Sequence, residues 1–458
     1  YADGGQSPSE WQGKGAEALG LSGDVDRDQF RDLLDGKVAD QQLGTTRDGK
    51  LEHRPGWDVT LSAPKSVSIM AEVAGDRRLI AAHSAAVKTA LVHVEQHMSA
   101  TRVRDGGAVN REATGNLVIA SFQHGTSRAQ DPQLHTHNVV LNATKGEDGT
   151  WRSLEPRAIY QLQKQIGAIY RQELALKVRE LGYEIETGKG SMFEIKGVSG
   201  DVLAAFSTRS AEIEAALGTR GTTRDEASAA EKQVAALDTR QAKVAADPAA
   251  LVADWRETAT AAGFGAEARL AMVKEAEAVA ISPDHRANME LQGDSAACRA
   301  VAHAADKLGE RQSVFSVAAL HEEAGRVGLG KVSYAQISDA IAAAAKQGQL
   351  IDRTHIDRRG AEFAGFTTRF NVETETKMLR IEAEGRGTLS PIASPLAAAK
   401  AVASASAQAE RTGFGWNAEQ RTATEQLLTS RNRVTALQGY AGTAKTTTVL
   451  ATFAREAE

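Results

Sequence analysis

The chain has 458 residues, 42% of them hydrophobic, enough apolar material for about three domains of roughly 150 residues each. A formal charge of −5 and a pI near 6.2 exclude a protein that coats nucleic acid by bulk charge, so any DNA contact must come from a local basic face. Cys298 is the single cysteine, which excludes an internal disulfide framework or a cysteine zinc site and leaves His and carboxylate to hold any metal.

From Trp57 to about Thr144 the pattern alternates between strand and helix, which predicts a mixed α/β domain. WDVTLSAP (57–64) and GNLVIASFQH (115–124) read as strands. LIAAHSAAVKTALVHVEQHMSA (79–100) has helical apolar spacing, and LHTHNVVLNAT (134–144) is β-branched with period two. A long amphipathic helix follows over 160–183, then a hairpin, EIETGKGSMFEI (184–195), with a Gly-Lys-Gly turn. Residues 205–264 are rich in Ala, Glu, Arg and Lys with glycine breaks near Gly218 and Gly221, and predict mobile helices that carry little core.

The Pro, Asp and Gly of ISPDHRANMELQGDS (281–295) predict a linker, which we extend over 265–295. Two helices (314–328 and 333–351) and a strand (362–372) then give the order of a small winged-helix-like unit, 296–387. Residues 388–413 read as a low-complexity Ala/Ser connector, and 414–458 as the start of another domain. No stretch approaches the roughly 20 apolar residues of a membrane span, and no signal peptide opens the chain, so it reads as soluble and cytoplasmic. Without an initiator Met, and with a helical run at 451–458, both ends read as cut.

The sharpest signal is HGTSRAQDPQLHTH (124–137), which holds three of the chain's eleven histidines. His135 and His137 are two apart, which puts both on one face of a strand, and a hairpin through GTSRAQDPQ would bring His124 opposite them. Three imidazoles converging on one ion, with further positions open to substrate oxygens, make a catalytic rather than a purely structural metal site. Solvated loop histidines are the bland alternative. His53, His83, His93 and His97 take that bland reading, the last pair being simply i and i+4 on a helix with Glu95 as its nearby carboxylate. Asp58, between Trp57 and Val59, is a strand carboxylate suited either to orient a ligating His or to accept a proton from a nucleophile.

SEWQGKGAEALGLSG (9–23), WDVTLSAPKSVSIMA (57–71) and the segment 114–144 resemble the conjugative relaxases of the TrwC/TraI type, the MobF family of HUH endonucleases, over roughly residues 1–265. In the His-hydrophobe-His element the middle residue here is Thr136. The resemblance implies an antiparallel-sheet relaxase palm within a relaxase domain 1–264, with flexible helical fingers at 205–264. It implies an enzyme that nicks one strand at a plasmid origin of transfer through a 5′-phosphotyrosyl intermediate. A divalent metal, Mg or Mn with Zn or Ni as alternatives, would be held by His124, His135 and His137. Tyr1 falls near the second of the family's two tyrosine groups and is the candidate nucleophile, with Asp58 matching the family carboxylate. Lys65, Ser66 and Arg128 are candidates for backbone phosphates, and Arg209, Arg220, Arg224 and Arg240 for lining the bound strand. Implied partners are origin hairpin and single-stranded DNA, relaxosome accessory proteins and a type IV secretion coupling protein.

LQGYAGTAKTT (437–447), after the predicted strand RVTAL, reads G-x-x-x-x-A-K-T with Gly439, Gly442, Lys445 and Thr446 in phosphate-loop roles for ATP and Mg²⁺. Ala444 stands where the second glycine is usual, and Gln420 in WNAEQRTA (416–423) is the expected adenine reader of a superfamily 1 helicase. With no Walker B carboxylate in view, this polypeptide alone is expected to hydrolyse no useful ATP. Against the relaxase stand a non-cleaving hairpin-binding module, separated from it by whether Tyr1 can reach the metal-bound phosphate, and a three-histidine hydrolase of small molecules, which would require a compact pocket and no strand groove.

Overall fold

A computed structural model describes residues 8–239, 247–356, 360, 362–440 and 442–458. The chain forms two compact units, Tyr1–Phe366 and Thr367–Glu458. A four-stranded sheet organises the first. Its strands are β1 (Ser9–Gln12), β2 (Gly56–Ser62), β3 (Ile119–Thr126) and β4 (Pro132–Leu141), in spatial order β1-β3-β4-β2. Every pairing is antiparallel, as expected of the palm.

Alternation along these strands gives the sheet two different faces. On one face Leu61, Ile119, Leu134 and Val140 join helices α1 (Lys65–Glu72), α2 (Arg78–Met98) and α3 (Gln163–Glu180) in the main core. On the other, Ala120, Phe122, Val139 and Leu141 pack with Trp11, Phe30, Leu33 and Val38. Burying each large side chain stabilises by about 1.5–3 kcal/mol. A one-residue slip would exchange the two faces, so the register is tightly specified.

α2 buries Leu79, Val87, Leu91, Val94 and Met98, the one-sided spacing its sequence predicted. α3 stops at Gly182, whose φ is +89° and where a Cβ would lie 2.0 Å from the Ala276 carbonyl oxygen. The predicted hairpin forms as β5 (Ile185–Thr187) and β6 (Phe193–Ile195). Of the fingers, α4 (Thr208–Gly218) and α5 (Ala229–Asp238) share only a small cluster around Leu217 and Ala235. α6 (Pro248–Ala261) differs from the expectation, because Trp255 and Ala259 enter the main core.

The linker expected over 265–295 is helical: α7 (Ala266–Ile281) leads directly into α8 (Pro283–Gly309). Pro283 occupies the first turn of α8, where its missing N–H costs nothing. Gly293 lies where a Cβ would meet Gln336 Nε2 at 2.3 Å, so the glycine read as a break is a close packing contact. α8 packs with α9 (Val317–Val327) and α10 (Tyr334–Lys346) around Val301, Phe315, Leu320 and Ile337. A small sheet of β7 (Phe315–Ser316), β8 (Leu350–Ile356) and β9 (Glu362–Thr368), in order β7-β9-β8, completes this part.

In the second unit α11 (Arg369–Glu384) precedes α12 (Pro395–Arg411) and α13 (Ala418–Thr429). α12 replaces most of the predicted connector: Ser394 caps it, and Ala398, Val402 and Ala405 pack against Trp416 and Leu428. RVTAL (433–437) is not a strand. Among the described residues of this unit no neighbouring strand offers the ladder partners that an extended segment needs. Among the described residues no helix is long and apolar enough to cross a membrane.

Candidate metal centre and active site

The second face of the palm sheet changes character along its length. β3 runs Ala120, Phe122, His124 and β4 runs Leu141, Val139, His137, His135, so an apolar half gives way to three imidazoles. Register makes the meeting: His135 pairs with His124, and His137 with Phe122. The ring centroids are 5.4 Å apart for His124 and His135, 5.6 Å for His124 and His137, and 5.0 Å for His135 and His137. Imidazole nitrogens bound at ~2.0–2.1 Å to one ion put their ring centroids roughly 4.5–5.5 Å apart. As arranged, no group of three or more His, Cys, Asp or Glu side chains among the described residues is set to hold a metal ion, although the three rings face one another at 5.0–5.6 Å.

The surrounding bonds fit a metal-binding role for these rings. His137 Nδ1 lies 2.7 Å from Asp58 Oδ2, and His135 Nδ1 lies 2.8 Å from the Gln133 carbonyl oxygen. Both bonds use Nδ1, so Nε2 is the nitrogen a metal would take, oriented by a carboxylate or carbonyl behind it. Thr60, opposite His137 in the register, donates its hydroxyl to Asp58 Oδ1 at 3.2 Å and lies 3.0 Å from His137 Nδ1. Asp58 is therefore the carboxylate hydrogen-bonded directly behind His137.

Thr136, between the two strand histidines, points to the opposite face. Its hydroxyl is 2.8 Å from Nε2 of His83, whose Nδ1 is 2.7 Å from the Tyr170 hydroxyl. Burial holds the His83 ring down to about 3, with His135 adding to the effect, so it is neutral at physiological pH. A helix residue read as bland thus anchors the centre of the histidine strand. Thr60 was missed, and Thr136 was noted only as the middle residue of the histidine element; the strand register sets Thr60 beside His137, and alternation turns Thr136 to the opposite face.

The loop between β3 and β4 is tied to the fingers. Asp131 accepts hydrogen bonds from the Thr208 N–H at 3.1 Å and its hydroxyl at 2.9 Å, and Trp255 Nε1 donates to the Gln130 carbonyl at 2.6 Å. Arg128 is exposed on this loop. Lys65 is turned inward, donating to the Pro132 carbonyl oxygen, and burial lowers its pKa against the pull of Asp131 and Glu194. Ser66 is fully buried, its N–H donating to Glu194 and its Oγ accepting from the Ile195 N–H. The expectation that Ser66 contacts phosphate is therefore corrected: it fastens α1 to β6. The finger arginines are also engaged internally. Arg209 donates to Thr239 and to the Ala236 carbonyl, Arg220 pairs with Asp238, and Arg224 donates to Ser210. Tyr1 and Arg240 lie outside the described residues.

Along the edge strand β2 a groove of about 700 Å³ runs beside Asp58, lined by Arg54, Trp57, Tyr160 and Lys164 among others. The Arg54 guanidinium stands 5.3 Å from the Trp57 ring centre. Sequence reasoning did not single these out, because β2 and the start of α3 are brought together only by the fold.

In the second unit, Lys445 Nζ donates to the carbonyl oxygens of Gly439 and Tyr440, both at 2.6 Å. Gln420 caps α13 reciprocally with Asn417, and its Nε2 reaches the Thr443 carbonyl at 3.1 Å. Gly442 has φ +78° and Ala444 φ +51°. The alanine that replaces the usual glycine therefore sits in left-handed backbone, at a cost on the order of 1 kcal/mol. Thr446 opens the helical turn that follows.

A family model described as TrwC relaxase matches residues 1–262, more than half of the chain and all three histidines. The chain belongs to the TrwC relaxase family. Two Escherichia coli proteins described as multifunctional conjugation protein TraI are similar to it. One, from strain K12, is 44% identical over 271 residues, 57% of this chain and 15% of that protein. The other is 41% identical over 330 residues, 68% of this chain and 18% of that protein. This chain therefore spans less than a fifth of either. Among solved structures, a metal-bound conjugative relaxase TrwC in complex with oriT DNA is 42% identical, with TM-score 0.55 over 57% of this chain and 92% of that one. TrwC complexed with a 27-mer DNA comprising the recognition hairpin and the cleavage site is 43% identical, with TM-score 0.54 over 56% of this chain and 91% of that one. A model described as AAA domain matches residues 415–457, beyond the relaxase match.

Proposed function

We propose that this chain nicks one DNA strand at a plasmid origin of transfer by attack of a tyrosine on the scissile phosphate. The observation that carries the reading is the histidine end of the palm face, together with the direction from which the N-terminal segment arrives. β1 runs antiparallel to β3 with Ser9 opposite Phe122, and the Pro8 carbonyl accepts from the Gln123 N–H, one residue before His124. The seven-residue step from Tyr1 to Pro8 spans at most about 25 Å. A phenol at Tyr1 thus has the reach to meet a phosphate held over the imidazoles.

In this mechanism the tyrosine oxygen bonds to phosphorus while the bond to the 3′ oxygen breaks, giving a 5′-phosphotyrosyl enzyme and a free 3′-OH. The linkage keeps the phosphodiester energy for later rejoining. His124, His135 and His137 are the residues that would hold a divalent metal, Mg²⁺ or Mn²⁺ first and Zn²⁺ or Ni²⁺ as alternatives. When bound, the metal neutralises charge on the non-bridging phosphate oxygens. Asp58 holds His137 in one tautomer and orientation through the 2.7 Å bond, a positioning role rather than contact with the reacting atoms. His83 and Thr136 hold the strand between the two histidines from behind.

Arg54, Lys164 and Arg128 are suited to strand phosphates, and Trp57 and Tyr160 to unstacked bases. The fingers, secured to the metal-site loop through Asp131 and Gln130, frame the same end of the palm. Of the winged-helix-like unit read over 296–387, α9, α10 and the β7-β9-β8 sheet support that reading up to Phe366, whereas the remainder falls in the second compact unit. Gly439, Gly442, Lys445 and Thr446, with Gln420, are the nucleotide-binding residues of a helicase-type segment, consistent with the AAA-domain match over 415–457. Relaxosome accessory proteins and a type IV secretion coupling protein are the partners this role requires in the cytoplasm.

The test mixes the chain with labelled single-stranded oligonucleotides carrying the inverted repeats of its own plasmid's origin, with Mg²⁺ or Mn²⁺. A covalent adduct is sought on a denaturing gel and its tyrosine mapped by peptide mass spectrometry. The reading expects an adduct at Tyr1 that is lost in Tyr1→Phe and in His135→Ala. Tight hairpin binding with no adduct would make the chain a recognition module and overturn the proposal.

A further inference from the structure

A cavity of about 930 Å³ lies away from the palm face, where α2 and α3 meet α9, α10 and β9 within the first unit. Its walls come from segments distant in sequence, and hydrogen bonds to the backbone hold them together. The Tyr334 N–H donates to Glu173, Gln172 to the Val332 carbonyl and Arg179 to the Gly330 carbonyl. The Tyr334 ring stands in the wall between two imidazoles, stacked on His321 at 4.7 Å and edge-on to His93 at 5.0 Å. Val92, Leu162, Val317 and Phe363 supply apolar surface around this row of rings.

Several polar groups of the lining are already engaged. Ser316 caps α9, Ser333 caps α10, Ser338 donates to the Tyr334 carbonyl, and His355 Nδ1 lies 3.1 Å from the Val314 carbonyl oxygen. Three others differ: His93 Nδ1, His321 Nδ1 and Gln165 Oε1 are buried without a hydrogen-bond partner among the described residues. His93 is only 7% exposed and Gln165 only 8%. A buried polar group left unmet is costly, so three around one cavity mark a place that meets a ligand.

The same groups decide its chemistry. Gln165 Oε1 can only accept a hydrogen bond, whereas a neutral imidazole nitrogen offers either a lone pair or an N–H. Burial first, and neighbouring imidazoles second, hold His93 down to about 3 and His321 to about 4, so both rings are neutral at physiological pH. The lining includes the carboxylates Glu173 and Asp339 and no Lys or Arg, which disfavours an anion. With the phenol ring between them, His93 and His321 do not close on one ion, and no described group of this kind is set to hold a metal. Space and a row of rings suit an aromatic guest instead.

We propose that this cavity binds a planar heteroaromatic compound of one or two fused rings, uncharged or singly positive and carrying N–H donors. The guest hydrogen-bonds Gln165 and the buried nitrogens of His93 and His321 and packs against Tyr334, tying α2 and α3 to α9 and α10. The site is separate from the palm histidines, and its failure would leave the nicking proposal untouched.

The experiment titrates the whole, metal-free chain with 2-aminobenzimidazole by calorimetry, follows thermal unfolding with and without it, and uses benzoate as an anionic competitor. The proposal expects one saturable site per chain, a rise in Tm on binding and no displacement by benzoate. Gln165→Leu removes the acceptor at nearly constant size, and Ala335→Trp fills the mouth from an exposed position of the lining. Each should weaken binding about tenfold or more and abolish the rise in Tm. No saturable binding, displacement by benzoate, or binding indifferent to both substitutions overturns it.

Discussion

The histidine face of the palm and the phosphate loop of the second unit carry equally recognisable sequence motifs, yet the fold treats them differently. At the palm the residues of the His-Thr-His element are each fixed by a neighbour: His137 by Asp58 and Thr60, His135 by the Gln133 carbonyl, and Thr136 by His83. In the phosphate loop Lys445 folds back onto its own loop carbonyls, Ala444 bears a positive φ, and the preceding segment is not a strand. A motif becomes a preorganised site when its sheet neighbours and the residues behind it are in place.

This contrast can be broken or sharpened by substitution. The largest effect is expected from His135→Ala combined with His137→Ala, which should abolish covalent adduct formation, read on a denaturing gel, while Tm falls by no more than a few degrees because both side chains are only half-buried. Next comes Asp58→Asn, which keeps the shape but loses the charge behind His137. Metal affinity, measured by calorimetry, should weaken about 10–100-fold.

A third effect is on pH. His83, His93 and His321 fold neutral with pKa values held down to about 3, 3 and 4, whereas an unfolded histidine takes up a proton near pH ~6.5. The unfolded state therefore binds more protons between these values, and stability is fully present above about pH 6.5 and lost as pH falls toward the folded pKa values. Each ring contributes a slope of up to about 1.4 kcal/mol per pH unit, and a urea-unfolding series from pH 7 to 5 with no slope would contradict these burials. Thr136→Val should then cost about 1–3 kcal/mol by stranding the buried His83 nitrogen, visible as a lower Tm. The smallest effect is expected in the phosphate loop, where Ala444→Gly should change stability by less than about 1 kcal/mol, in the stabilising direction.

Much of the palm was legible because period-two alternation carries both strand identity and face. The same alternation that predicted the meeting of His124, His135 and His137 also sets Thr60 beside His137. What lay beyond reach was contact between segments distant in sequence. His83 looked like an ordinary helical histidine until the fold set it against Thr136, and Ser66 looked accessible until β6 closed over it. The linker and connector expectations failed for a different reason. Pro283 and Pro395 both stand in the first turn of a helix, where proline starts an element instead of ending one. The groove of Arg54, Trp57, Tyr160 and Lys164 joins residues more than a hundred positions apart, and no local pattern announces it.

The most direct test of the account measures adduct formation on the origin oligonucleotide as a function of Mn²⁺ concentration, for the parent chain and for Asp58→Asn. If Asp58 serves by orienting His137, the half-saturating metal concentration rises about 10–100-fold and the plateau is reached all the same. An unchanged metal midpoint with a collapsed plateau would contradict this assignment and make Asp58 part of the proton transfer itself, and no adduct at any concentration would contradict the nicking function.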